Sequence, residues 1–127
     1  MLLPRDPVAR AGVEQWMEWQ ATELNNAWRY AFMALVRNSP AHADPVQVER
    51  SRVEWNRLVG ILDDRLARTG AYVAGPDFTL ADVVLGLSVN RWQATPIERP
   101  DYAAVAAWVE RLRGRPACRA HCLNGIA

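Results

Sequence analysis

A helix that is apolar on nearly every face has to be buried, and residues 79 to 92 read as such a helix. Its start is written into Ala74-Gly75-Pro76-Asp77-Phe78-Thr79-Leu80-Ala81-Asp82. Thr79 caps with its hydroxyl, and Asp82, three residues on, reaches back to the Thr79 N–H. This is the reciprocal capping box, with Asp where Glu or Gln is commoner. Phe78 before the cap and Val83 after it have the spacing of a hydrophobic staple. Gly86 sits inside the helix at a propensity cost of about 1 kcal/mol, and its missing side chain lets a neighbour approach closely. A segment of this kind forces other elements to pack around it.

Those other elements also read as helices. Asp6-Pro7 supplies an N-cap and a first-turn proline. The helix it opens is expected to run to about Arg37, before Asn38-Ser39-Pro40. Val13, Trp16, Met17, Leu24, Ala27, Trp28, Ala31 and Leu35 form its apolar stripe. Glu18, Thr22, Asn25 and Arg29 recur at the same spacing on a different face, which predicts that they project together. Asp44-Pro45 repeats the start signal for a second long helix, to about Arg68, with Gly70 placed for a left-handed cap. Val48, Trp55, Val59, Leu62 and Leu66 are its core side, and Arg50, Glu54, Arg57, Asp63 and Arg65 its solvent side. Two such helices joined by a short polar loop predict an antiparallel hairpin. Asp101 is expected to cap a fourth helix carrying Tyr102, Val105, Trp108, Val109 and Leu112, which Gly114 stops. Pro116 opens a last short helix through about Cys122. No segment has the period-two alternation of a strand. The reading is one all-α domain over residues 1 to 127, a bundle of about five helices.

Charge and cysteine content narrow the function classes. Net charge is +1, too little to draw the chain to nucleic acid or to an anionic membrane. No apolar run approaches the roughly 18 residues of a membrane span, and the first residues lack a signal peptide's apolar segment, so a cytoplasmic location is expected. All 15 basic residues are Arg, which is read as a GC-rich coding bias of bacterial type. Cys118 and Cys122 are expected to be reduced thiols on one helical face. Cys118, His121 and Cys122 have no second ligand pair nearby, so packing is expected of them and no metal.

Several stretches together resemble one family. Gly75-Pro76-Asp77-Phe78-Thr79-Leu80-Ala81-Asp82 is similar to the buried helix and capping box in the C-terminal domain of glutathione transferases. Leu3-Pro4-Arg5-Asp6-Pro7 resembles the linker into that domain, and Gln15-Trp16-Met17-Glu18-Trp19-Gln20-Ala21-Thr22-Glu23-Leu24 the first helix of bacterial members. Tyr72-Val73-Ala74-Gly75 resembles the approach to the capping box. Trp108-Val109-Glu110-Arg111-Leu112, followed by Arg115-Pro116, resembles the closing helices.

The resemblance implies a function. Parent enzymes attack an apolar electrophile with the glutathione thiolate, and the thiol must first be activated. That activation belongs to a thioredoxin-like N-terminal domain, which no residues of this chain resemble. The chain by itself is therefore expected to be inactive, with no catalytic residue and the thioredoxin-like domain as a missing or separate partner. The helical half implies a glutathione contact at Glu18, Thr22 and Asn25, and an electrophile pocket at Arg29 and Trp92. Asn25 donates a hydrogen bond in this picture, whereas Glu18 suits only the ammonium end of glutathione. Thr79 and Asp82 are assigned to folding. Glutathione is expected as the parent's substrate, with a small apolar electrophile, and the family implies a homodimer built on the first two long helices, with Trp19, Tyr30 and Phe32 off the main stripe. The polar stripe is either a cleft face or an ordinary solvated face, and Trp92 either lines a pocket or packs in the core. The alternative to an enzyme half is a non-catalytic glutathione-transferase-like module that binds protein partners.

Overall fold

Asp6 and Asp44 start the long helical segments as their sequence predicts. Asp6 Oδ2 accepts from the Ala9 N–H at 2.9 Å, and Asp44 Oδ1 from the Val46 N–H at 3.0 Å, each ahead of a first-turn proline. The computed structural model describes residues 2–127, apart from the side chains of residues 117 and 121. The Cys118–His121–Cys122 reading therefore lies partly outside the described residues.

The first rod has two α-helical halves, α1 (Pro7–Trp19) and α2 (Asn25–Leu35). A π-helical turn over Gln20–Leu24 joins them, and the Asn25 N–H reaches the carbonyl of Gln20, five residues back. Each α-helical residue advances about 100°, so one extra residue in a turn sets the downstream half back by about that angle. Phe32, off the stripe by α-helical count, is thereby turned inward and is only 5% exposed. Phe32 therefore belongs to the core side, although the sequence places it off the main stripe. Asn38, at φ 51°, closes α2 in the left-handed conformation, and the Ser39 N–H returns to Met33 O at 2.9 Å.

A 3-10 turn (Pro40–His42) leads into α3 (Pro45–Thr69), which Gly70 ends at φ 66°. The central helix is α4 (Leu80–Ala94), followed by α5 (Ala103–Arg113) and α6 (Pro116–His121). With the rod counted once, the described residues hold five helices and no strand. Helices α2 and α3 pack as the expected hairpin, α1 and the π-turn lie against α4, and α5 against α3. The core runs through Leu24, Trp55, Leu62, Leu85, Trp108 and Leu112, all essentially solvent-free. Gly86 permits a close contact as expected: a Cβ there would lie 3.0 Å from Leu112 Cδ1.

Three local expectations give way to tertiary partners. Helix α5 begins at Ala103 behind Tyr102, and Asp101 is not its cap. The carboxylate that caps it comes from α3, where Asp63 Oδ1 accepts from the Val105 N–H at 3.0 Å. Asp63 and Arg65 are therefore not simply solvent-facing. Arg65 bridges α3 to the connector, with Nε donating to Val73 O at 2.8 Å and Nη2 to Ala74 O at 3.1 Å.

The capping box of α4 is present, and it is one half of a larger device. Asp82 is fully buried. Its Oδ2 accepts from the Thr79 N–H at 2.8 Å. Its Oδ1 accepts from the Val73 N–H at 3.0 Å and from the Trp108 indole at 2.9 Å. One carboxylate thus fixes the start of α4, the connector before it and the centre of α5.

Candidate ligand-binding face

Asn25 is the only one of the four stripe residues that the structure turns partly inward. It follows the π-turn, which rotates it and Arg29 away from the line of Glu18 and Thr22. Its Oδ1 accepts from Gln20 Nε2 at 3.0 Å and from Trp28 Nε1 at 2.9 Å. An indole N–H can only donate, so Trp28 fixes the amide with its oxygen toward the indole and leaves its NH2 to donate elsewhere. Glu18, Thr22 and Arg29 are exposed. Thr22 bonds back to Glu18 O at 2.8 Å, satisfying its hydroxyl within the helix.

Trp92 is placed elsewhere. It is 4% exposed, donates from Nε1 to Asn56 Oδ1 at 2.9 Å on α3, and stacks on Tyr102 at 6.0 Å. It borders a pocket of about 440 Å³ together with Arg99, Asp101 and Tyr102. The structure therefore does not gather Trp92 with Arg29, which lies on the exposed surface of α2. Neighbouring residues on an α-helix point about 100° apart, and it is Arg91 that faces α2. The Arg91 guanidinium carbon is 4.4 Å from the Trp28 ring centroid and 5.3 Å from that of Phe32.

Gln20, Trp28 and Arg91 were not singled out from the sequence as site residues. A signal existed for Arg91: it is the one basic residue in the buried, largely apolar α4. Gln20 and Trp28 had none, because their part depends on the π-turn and on side-chain direction.

A second concavity, of about 800 Å³, lies between the first residues of the chain and the start of α4. Leu2, Pro4, Val13, Phe78 and Arg115 are among its walls. The Arg115 guanidinium stacks 3.9 Å from the Phe78 centroid. The Leu80 N–H donates to Leu2 O at 2.9 Å, strapping the N-terminal segment across the head of α4. Among the described residues, no group of three or more His, Cys, Asp or Glu side chains is placed to hold a metal, and no helix is long and apolar enough to cross a membrane.

An all-helical bundle with a buried, boxed central helix defines a class of helical domain, and comparison with known proteins identifies it. Residues 45–111 match the family described as glutathione S-transferase, C-terminal domain. The chain belongs to this family. It is 29% identical over 113 residues to glutathione S-transferase GstB of Escherichia coli K12, covering 89% of this chain and 54% of that protein. It is 30% identical over 123 residues to the disulfide-bond oxidoreductase YfcG of the same organism, covering 92% of this chain and 53% of the other. The chain thus spans about half the length of the curated relatives it matches. Among solved structures it is similar to a theta class glutathione S-transferase from Xanthomonas axonopodis pv. citri. The apo form superposes with TM-score 0.87 at 31% identity, over 96% of this chain and 64% of that one. The same enzyme with glutathione bound gives TM-score 0.86 over 96% and 58%.

Proposed function

We propose that this chain is the helical, substrate-binding and dimerising half of a glutathione S-transferase, whose parent conjugates glutathione to an apolar electrophile. The observation that carries this reading is the oriented Asn25 amide. Trp28 and Gln20 both donate to its Oδ1, which leaves its NH2 as the group that can donate to a ligand. A preorganised donor of this kind suits a carboxylate or carbonyl of glutathione. Support comes from the family match over residues 45–111 and from the similarity to a protein solved with glutathione bound. Glu18 and Thr22, exposed on the rod, are further glutathione contacts in this proposal, whereas Arg29, turned onto a different line by the π-turn, and the buried Trp92 are not gathered with them.

The thioredoxin-like domain docks in this reading on α4. Leu80, Val83, Val84 and Leu87 share one face of that helix and are incompletely covered, with Leu87 46% exposed. Dimerisation uses the outer face of α3, where Val46, Val53 and Ile61 are exposed on one side.

The experiment is a titration of glutathione into the 15N-labelled chain, read at the side-chain amide of Asn25 and the indole N–H of Trp28. Both resonances are expected to shift, and Asn25→Ala is expected to abolish the Trp28 shift. Resonances that stay fixed at millimolar glutathione would overturn the reading.

A further inference from the structure

Among the described residues, no carboxylate forms an ion pair with Arg91. The ion pairs among the described residues join Arg10 to Glu14, Arg52 to Glu49, Arg57 to Glu54 and Arg113 to Glu110, all on outer faces. Neither Arg91 nor Arg37 takes part. Yet both converge on one ring: Arg91 lies 5.3 Å and Arg37 5.4 Å from the Phe32 centroid. Burial lowers the pKa of Arg91, and the neighbouring Arg37 lowers it further. The Arg91 Nε is buried without a hydrogen-bond partner, as is the Ser88 hydroxyl one turn earlier on α4. Neither Nη nitrogen of Arg91 is among the buried atoms without a partner, so the Nη edge is the side from which an anion approaches.

A half-desolvated cation beside a like charge is unfavourable unless something compensates it. The faces of Trp28 and Phe32 offset part of that cost by attracting the cation, but they cannot accept the guanidinium's forked N–H donors. A planar anion can. Trp28 also ties Arg91 to the proposed ligand face, since its ring carries Arg91 while its N–H orients Asn25.

We propose that Arg91, assisted by Arg37, binds the carboxylate or sulfonate of the second substrate, so that this half selects electrophiles bearing an anionic group on an apolar frame. This inference rests on the reading of the chain as a substrate-binding half. Arg91 acts in it as a specificity-determining contact, with no part in activating the thiol.

The test compares 4-nitrobenzoate with its uncharged analogue 4-nitrobenzamide, using quenching of the tryptophan fluorescence of the whole 127-residue chain. The acid is expected to bind at least tenfold more tightly than the amide. Arg91→Gln is expected to bring the two within twofold, Arg37→Gln to reduce the preference by a smaller factor, and Arg91→Lys to retain part of it. Removing an uncompensated cation should leave the unfolding midpoint of the Gln variant unchanged or raised, and the Lys variant decides the matter if the Gln variant does not fold. Equal binding of acid and amide, binding of neither, or a preference that survives in Arg91→Gln overturns the proposal. Those outcomes leave the glutathione-dependent shifts at Asn25 untouched, so failure here is distinct from failure of the parent reading.

Discussion

The Asp82 carboxylate collects three N–H donors from three parts of the chain, and only one of them is local. The Thr79 N–H is three residues away, whereas the Val73 N–H and the Trp108 indole are brought in by the fold. A capping box alone is worth about 1–2 kcal/mol. Asp82→Ala is expected to cost about 3 kcal/mol or more, because buried donors lose a charged acceptor together. Urea unfolding reads this directly, and a loss near 1 kcal/mol would mean that the Val73 and Trp108 donors find water. Cys118 gives a pH prediction at the same scale. Burial, helped by the hydrogen bond with Cys122, pushes its thiol up to about 11 from 9.0. The unfolded thiol ionises first, so the contribution of Cys118 to stability is complete below pH 9 and is lost as pH rises from 9 to 11. The alkaline fall in unfolding midpoint is expected to be smaller in Cys118→Ala over that window. An identical pH profile for the two proteins would refute the assignment.

Between elements, α3 decides what α5 does. Asp63 caps α5 across the interface, so Asp63→Ala should destabilise by about 1 kcal/mol while Asp101→Ala leaves the unfolding midpoint where it was. The reverse order would restore the local cap that the sequence suggests. Gly60 on α3 makes room for Tyr102: a Cβ there would lie 2.9 Å from the Tyr102 hydroxyl, which donates to Asn56 O at 2.7 Å. Gly60→Ala gains about 1 kcal/mol of helix propensity but crowds a close contact, typically at 1–3 kcal/mol. A net loss of about 1 kcal/mol is expected, and Tyr102→Phe in the same chain should recover part of it. Additive effects of the two changes would show that the contact does not govern the site.

For the whole molecule, the proposed homodimer meets through α3. Val53, 51% exposed, is the probe for it. Val53→Arg is expected to leave a folded monomer where the parent chain sediments as a dimer at micromolar concentration. Phe32→Arg is expected to unfold the chain instead, because that ring lies between Trp28 and the two arginines. A chain that sediments at its 14.3 kDa monomer mass throughout the micromolar range would remove the dimer. The isolated chain is also expected to show no conjugation of glutathione to an aryl halide above the uncatalysed rate. Turnover by it would place thiol activation in the helical half.

The helices, their caps and the buried centre are legible in the order of residues alone. Asp6, Asp44, Gly70, Asn38 and the Thr79–Asp82 box act within a few residues of themselves, so their spacing carries the information. It also carried the family, but not the break of the Glu18, Thr22, Asn25 and Arg29 line, which the π-turn imposes. The π-turn was not legible, because no residue type marks it and because the packing it permits, the inward turn of Phe32, is non-local. The same holds for the Asp63 cap on α5, for the inward Trp92 and for the placement of Arg91 over Trp28. Each depends on a partner from another helix, and spacing along one chain says which residues share a face but not which neighbour that face will meet.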